Sequence, residues 1–438
     1  MSDFGHKLVE ESSSRVLGDS SSSIANIADK PTNFRLPSID IYRGMVMFLM
    51  LAEVLHLYKL RDVFDRDDTA GKIAEWIRFH TTHVEWVGCS LHDMIQPSFT
   101  FLVGVSLVFS VAARSSRGQT KGQMLVHALG RSVILVLLGI FLRSLGKPQT
   151  NFTFDDTLTQ IGLGYWFLYL VSGWSTRAVV VVLLVVLGGY WGAFIAYPKP
   201  PEGFDYAAVG VPSEWGAHWS EGLLVHFNKN SNLAWAFDRW WMNLFPRTSE
   251  FSHSAGGYST LSFVPTLGTM LLGLLAGRLL KNVDDRRKRL GGMVLVGVVF
   301  MVLGYGLDWL GICPVVKRIW TSSWVLWSGG TCFLWLAALS LLCDEWRFTS
   351  WGGFFRVVGA NSIVAYVLSW TLEGPVIDAF KRHFGFFFSA AAERLSKSVS
   401  ADASRMADLE AVLLGLGVLG IFWLVLFWLY RQRIFVRI

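Results

Sequence analysis

The sequence predicts an all-α fold: a polytopic membrane bundle of about ten transmembrane helices with both termini on the cytoplasmic side. Three observations carry that expectation. The 438 residues are 52% hydrophobic and only 16% charged, where soluble domains run nearer a quarter charged. Apolar runs recur at close to the roughly 20 residues that cross a bilayer. The basic residues gather in short connections, "AARSSRGQTKG", "GRLLKNVDDRRKRLG" and "YRQRIFVRI", which fall on one side if the count is ten and so mark the cytoplasmic face. The net charge of +6 therefore reports topology and gives no reason to expect nucleic acid as a partner. The lipid bilayer is the expected one.

The elements follow in order. Residues 1–35, serine-rich with scattered charge and no apolar leader, read as a disordered cytoplasmic tail, and 36–438 as one transmembrane domain. Candidate spans lie near 40–60, 91–112, 124–145, 158–174 and 178–197, then near 259–280, 290–311, 323–343, 353–371 and 409–430. Between the two groups lies an outer loop, about 198–258, which carries Trp215, Trp219, Trp235, Trp240 and Trp241. Those rings suit either sugar stacking or an interfacial aromatic belt. No internal repeat is evident. The four cysteines, Cys89, Cys313, Cys332 and Cys343, form no CxxC pair. Cys89 and Cys313 fall on the same outer face, which leaves a bridge open beside the plainer reading of four unpaired thiols.

Polar residues inside such a chain are more informative than exposed ones, because an unpaired ionisable group in the bilayer is costly. The first span opens with Asp40 and Arg43, three apart on one helix face and suited to an ion pair or to a phosphate. Glu53 and His56 follow on the same helix, roughly 15–20 Å deeper. The stretch "HVEWVGCSLHD" sets His83 and Trp86 on a shared helical face, with Asp93 near the same stripe. A histidine beside a carboxylate is the usual general base, and an interfacial histidine closing a loop is the plain alternative. His80, His83, Glu85, His92 and Asp93 are metal-ligand types, but no zinc spacing is present and no metal is expected. Lys317 and Trp320 stand at the outer start of a later span. Asn361 and Ser362 stand at the inner start of another, where a buried amide acts as interhelical glue or as a ligand contact.

These motifs resemble the transmembrane acetyltransferase family typified by heparan-alpha-glucosaminide N-acetyltransferase. Its D-x-x-R-G signature appears as Asp40, Arg43 and Gly44, and its H-x-x-W-x-G-x-x-x-x-D as His83, Trp86, Gly88 and Asp93. A proline–phenylalanine–glycine pattern appears, offset in places, as Pro97, Thr100, Phe101 and Gly104, followed by the lone Gln160. P-x-x-K-x-x-W-[ST] is matched by Pro314, Lys317, Trp320 and Thr321, and G-x-N-[SA]-[IL] by Gly359, Asn361, Ser362 and Ile363. The matches run in family order over about 35–430. Val54 stands where the family usually has asparagine, "SHSAGGYSTLSFVP" replaces an acidic D-P-E-G stretch, and a short cytoplasmic tail is expected in place of the animal enzyme's lumenal N-terminal domain.

The resemblance implies acetyl-CoA as co-substrate, bound from the cytoplasmic side, and transfer of its acetyl group to a glucosamine-type amine on the outer side. His83 matches the family's catalytic histidine, with Asp93 or Glu53 orienting it. Trp86, His56, Gln160, Lys317 and Trp320 are expected on the acceptor side. Asp40, Arg43, Arg131, Arg278, Asn361 and Ser362 are expected on the coenzyme side. Whether His83 acts as a base or carries the acetyl group itself is open. A homodimer is open too, and a bacterial inner membrane is the expected setting. Two rival functions remain: O-acetylation of an envelope polysaccharide, and proton-coupled transport built on Glu53 and His56.

Overall fold

The computed structural model describes residues 36–64, 67–398 and 403–436; the expected tail, 1–35, lies outside them. The described residues are helical, with no strand beyond one isolated bridge between Val87 and Val316. Fourteen helices of eight residues or more stand out among them. They are α1 Pro37–Leu51, α2 Thr69–Thr81, α3 Ile95–Ser116, α4 Lys121–Ser144, α5 Thr157–Val171, α6 Thr176–Ala196 and α7 Leu233–Trp241. The chain continues through α8 Phe263–Asn282, α9 Arg286–Trp309, α10 Ser322–Leu339, α11 Gly353–Ala360, α12 Ser362–Thr371, α13 Glu373–Ser398 and α14 Ala403–Arg431.

Local chemistry sets several helix starts. Thr120 and Gln123 form a reciprocal capping box on α4. Asp156, Ser175, Asp285 and Thr321 cap α5, α6, α9 and α10, each accepting from backbone N–H groups that have no partner in the first turn. The helices then pack in pairs: α3 on α8, α9 on α10, α4 on α5, α11 on α1 and α13 on α14. Glycine permits the closest of these contacts. A Cβ at Gly104 would strike the Met270 carbonyl, and one at Gly273 would strike the Phe101 carbonyl. Small residues allow such backbone contact where lipid offers little hydrophobic drive between helices. The main core is formed by Met47, Leu51, Phe101, Leu271, Trp324, Phe333 and their neighbours.

Seven helices among the described residues are long and apolar enough to cross a membrane, or eight if one bent pair counts as a span. The chain is an integral membrane protein. The expected count of ten is not reached on length and apolarity, because α1 and α5 have 15 residues each and fall short of a full crossing. The run read as a first span at 40–60 stops at Leu51. It tightens into a 3₁₀ turn, Ala52–Leu55, and breaks at His56, which has a left-handed backbone (φ 49°). Glu53 and His56 therefore do not share a helical face. The expected span at 353–371 is α11 and α12, bent by 66° at Asn361. Helix α13 was not expected from hydropathy, since its phenylalanines alternate with Asp378, Lys381, Arg382, Glu393 and Arg394.

Candidate active site

His83 does not sit on a helix. Residues 82–91 form an irregular loop between α2 and α3, so the helical face expected for His83 and Trp86 does not exist. Asp93 shapes this loop. One carboxylate oxygen accepts from His83 Nδ1 at 2.8 Å, and the other accepts from the Val84 and Ser90 backbone N–H groups at 3.2 and 3.1 Å. The Ser90 hydroxyl closes the loop on the Thr82 carbonyl at 2.7 Å. Gly88, with φ +120°, donates to the Val315 carbonyl. The backbone region at Gly88 favours glycine, and through it the histidine loop is stitched to the segment that carries Lys317.

That second segment is equally constrained. The Thr321 hydroxyl caps α10 by accepting from Trp324 N–H. Trp320 has a left-handed backbone (φ 50°), a conformation that strains a bulky residue unless its surroundings enforce it. Its N–H donates to the Lys317 carbonyl at 2.8 Å, and its indole donates to Thr269 at 3.1 Å. The turn directs Lys317 Nζ to 3.2 Å from the Asp93 carboxylate and 3.1 Å from His83 Nδ1. Arg318 donates to the Val84 and Gly256 carbonyls and ties in the outer loop.

His83, Lys317, Glu53 and His92 line a cavity of about 290 Å³ together with Gln96, Arg143, Asp155, Asp156, Tyr258, Tyr366, Ser369 and Trp370. These come from the ends of α1, α3, α4, α5 and α12 and from three loops, and all meet at one end of the bundle. Burial, helped by the Lys317 ammonium, holds the His83 imidazole down to about 4, so the ring is neutral near pH 7. With Nδ1–H donated to Asp93, Nε2 keeps its lone pair. Glu53 lies 2.9 Å from His92 Nε2.

Other residues singled out from the sequence lie elsewhere. Trp86, expected on the acceptor side, is buried, donates to the Phe227 carbonyl at 3.1 Å and packs on Trp215, away from the cavity lining. Of the outer-loop tryptophans, Trp215 donates to Glu85 and Trp235 to the Ser252 carbonyl, while Trp240 is exposed. Gln160 is buried and donates to the carbonyls of Phe154, Ser259 and Thr260. His56 faces Glu373 at 3.7 Å. Arg278 caps the end of α5 through the Ser172 and Trp174 carbonyls. Asn361 is fully buried and holds the C-terminal segment, donating to the Ile434 carbonyl and accepting from Val436 N–H. Ser362 donates to the Gly359 carbonyl. Arg131 lies over the Tyr165 ring, and Arg43 lies 3.8 Å from Asp40 and 3.5 Å from Ser106. All four cysteines are free thiols. Among the described residues no three His, Cys, Asp or Glu side chains form a group able to hold a metal ion.

Sequence reasoning gave His92 only a metal-ligand role and missed Arg143, Asp155 and Trp370, whose ring carries the Arg143 guanidinium 4.4 Å from its centroid. His92 directly precedes Asp93, which was the available signal. The other three converge from distant helix ends and leave no local pattern.

No family model matches the chain. Human heparan-alpha-glucosaminide N-acetyltransferase is 22% identical over 370 residues, covering 76% of this chain and 52% of the human protein. The mouse protein of the same name is 21% identical over 378 residues, covering 77% and 54%. The chain is thus distantly similar to these two proteins. It spans about half the length of these curated relatives. Two of the sequence motifs meet at the cavity: His83 and Lys317 line it, and the buried Asp93 pairs with both.

Proposed function

We propose that this protein transfers an acetyl group from acetyl-CoA to the amine of an amino-sugar acceptor. The observation that carries the reading is the His83–Asp93–Lys317 arrangement on the cavity wall, with a neutral imidazole whose Nε2 is open to reaction. An amine attacks a thioester carbonyl only in its unprotonated form. His83 Nε2 takes a nitrogen proton as the C–N bond forms, Asp93 holds the ring's tautomer, and the Lys317 ammonium stabilises negative charge developing on the carbonyl oxygen. The C–S bond then breaks, leaving an amide and coenzyme A. Glu53 and Trp370 face the acceptor. Arg43 and Arg131, toward the opposite ends of α1 and the cavity-bound helices, serve the coenzyme's phosphates. The basic connections support placing that end in the cytoplasm, and a bacterial inner membrane is the setting we propose.

The test uses purified protein in vesicles, with labelled acetyl-CoA supplied to one face and glucosamine to the other. Formation of labelled N-acetylglucosamine supports the reading. A labelled product that resists neutral hydroxylamine, which cleaves thioesters, but is cleaved by alkaline hydroxylamine would be an oxygen ester, and would favour O-acetylation. No transfer, together with no thermal stabilisation by coenzyme A, would overturn the acetyltransferase reading, because a donor site must stabilise the fold by mass action.

A further inference from the structure

A second histidine–carboxylate pair shares the cavity. His92 opens α3 from a one-turn 3₁₀ segment, His92–Met94. Its ring centroid lies 4.4 Å from that of His83, tilted by 54°. Its Nε2 lies 2.9 Å from Glu53, a residue at the end of α1. The His92 side chain is 10% exposed and the Glu53 side chain 53%. Other charged or titratable groups facing this pair are His83 and Asp93, Lys317 from the turn before α10, Arg143 from α4, Asp155 and Asp156 ahead of α5, Tyr258 from the outer segment and Tyr366 from α12. His56, with its partner Glu373, lies just beyond Glu53 in the chain.

The reaction needs more proton handling than one imidazole supplies at once. The attacking nitrogen gives up a proton as the C–N bond forms, and the departing thiolate takes one up as the C–S bond breaks. Resting on the acetyl-transfer reading, we propose that His92 and Glu53 form a second acid–base dyad for the same reaction. His83 Nε2 receives the proton from nitrogen. The His92 imidazolium, its Nε2–H held by Glu53, gives its Nδ1 proton to the sulfur. The cycle leaves His83 charged and His92 neutral, and transfer of one proton between the adjacent rings restores the starting state. Amine plus thioester become amide plus thiol, with no proton unaccounted for.

The alternative is that the pair merely joins α1 to α3. His92→Gln separates the two, because glutamine still donates a hydrogen bond to Glu53 but carries no exchangeable charge. The experiment compares wild type and His92→Gln in vesicles, with glucosamine as acceptor and two donors. One donor is acetyl-CoA; the other is an S-(4-nitrophenyl) thioacetate, whose thiolate leaves without being protonated. The variant is expected to lose ~10²-fold in kcat with acetyl-CoA and no more than about threefold with the aryl donor. It is also expected to lose the alkaline limb of kcat against pH, while coenzyme A stabilises both proteins equally. Equal losses with both donors, an unchanged alkaline limb, or no loss with acetyl-CoA would overturn the dyad. Absence of both transfer and coenzyme A stabilisation in the wild type would overturn the acetyl-transfer reading itself, and the dyad with it.

Discussion

Two clusters sit side by side at the same end of the bundle and are built from the same short motifs. One is the cavity, where His83, Asp93, Lys317, His92 and Glu53 meet. The other is a dry aromatic cluster in which Trp86, Trp215, Tyr190, Phe194 and Phe227 are buried together with Val316. The histidine motif contributes His83 and Asp93 to the first and Trp86 to the second. The lysine motif contributes Lys317 to the first, while Trp320 and Thr321 shape the turn that aims it. The comparison teaches that one motif does two jobs. Its polar members converge at the cavity, and its aromatic and glycine members fix two loops against each other so that the polar members meet.

This division can be broken from either side. Asp93→Asn replaces a carboxylate that can only accept with an amide that can also present N–H to His83 Nδ1, so the tautomer is no longer held, and is expected to lower kcat by roughly 10²–10⁴-fold, measured as labelled acetyl transfer. Because Asp93 also accepts from two backbone N–H groups of the loop, a thermal melt accompanies that assay. Trp86→Ala empties a buried site and is expected to cost about 3–5 kcal/mol; the melt reads that change, and detergent-solubilised protein still binding coenzyme A at low temperature would show that the cavity persists.

Lys317→Met sharpens the comparison through pH. Lys317 lowers the His83 pKa, second only to burial, so its removal moves that pKa up. The acid limb of transfer then shifts to higher pH, and the ratio of rates at pH 5.5 and pH 8 falls relative to wild type. An unshifted limb would mean that another group titrates there. The smallest effect is expected from Trp240→Ala, at an exposed position outside both clusters, which should stay within about 0.5 kcal/mol of wild type in stability and leave transfer unchanged.

Much of the bundle was legible because apolar runs of span length leave a strong signal. Two places escaped it. The end of α1 is apolar on both sides of His56, and nothing in the composition marks a left-handed backbone there. Helix α13 alternates aromatic and charged residues, so hydropathy reads it as a connection. In the site, His83, Asp93 and Lys317 could be named from motifs, but their meeting rests on a loop–loop stitch between Gly88 and Val315 that spacing does not encode. The helical face read for His83 and Trp86 failed for that reason. Asn361 reads from the sequence as either interhelical glue or a ligand contact, and Arg278 as a cytoplasmic-side contact for the coenzyme's phosphates. The structure pairs each of them with backbone carbonyls, an equally good physical reason for their presence.

The most direct measurement is labelled acetyl transfer from acetyl-CoA to glucosamine by His83→Ala beside wild type, with coenzyme A stabilisation recorded for both. The account predicts transfer by the wild type, loss of at least ~10²-fold in the variant, and equal stabilisation of the two proteins. Transfer by His83→Ala at the wild-type rate would contradict it.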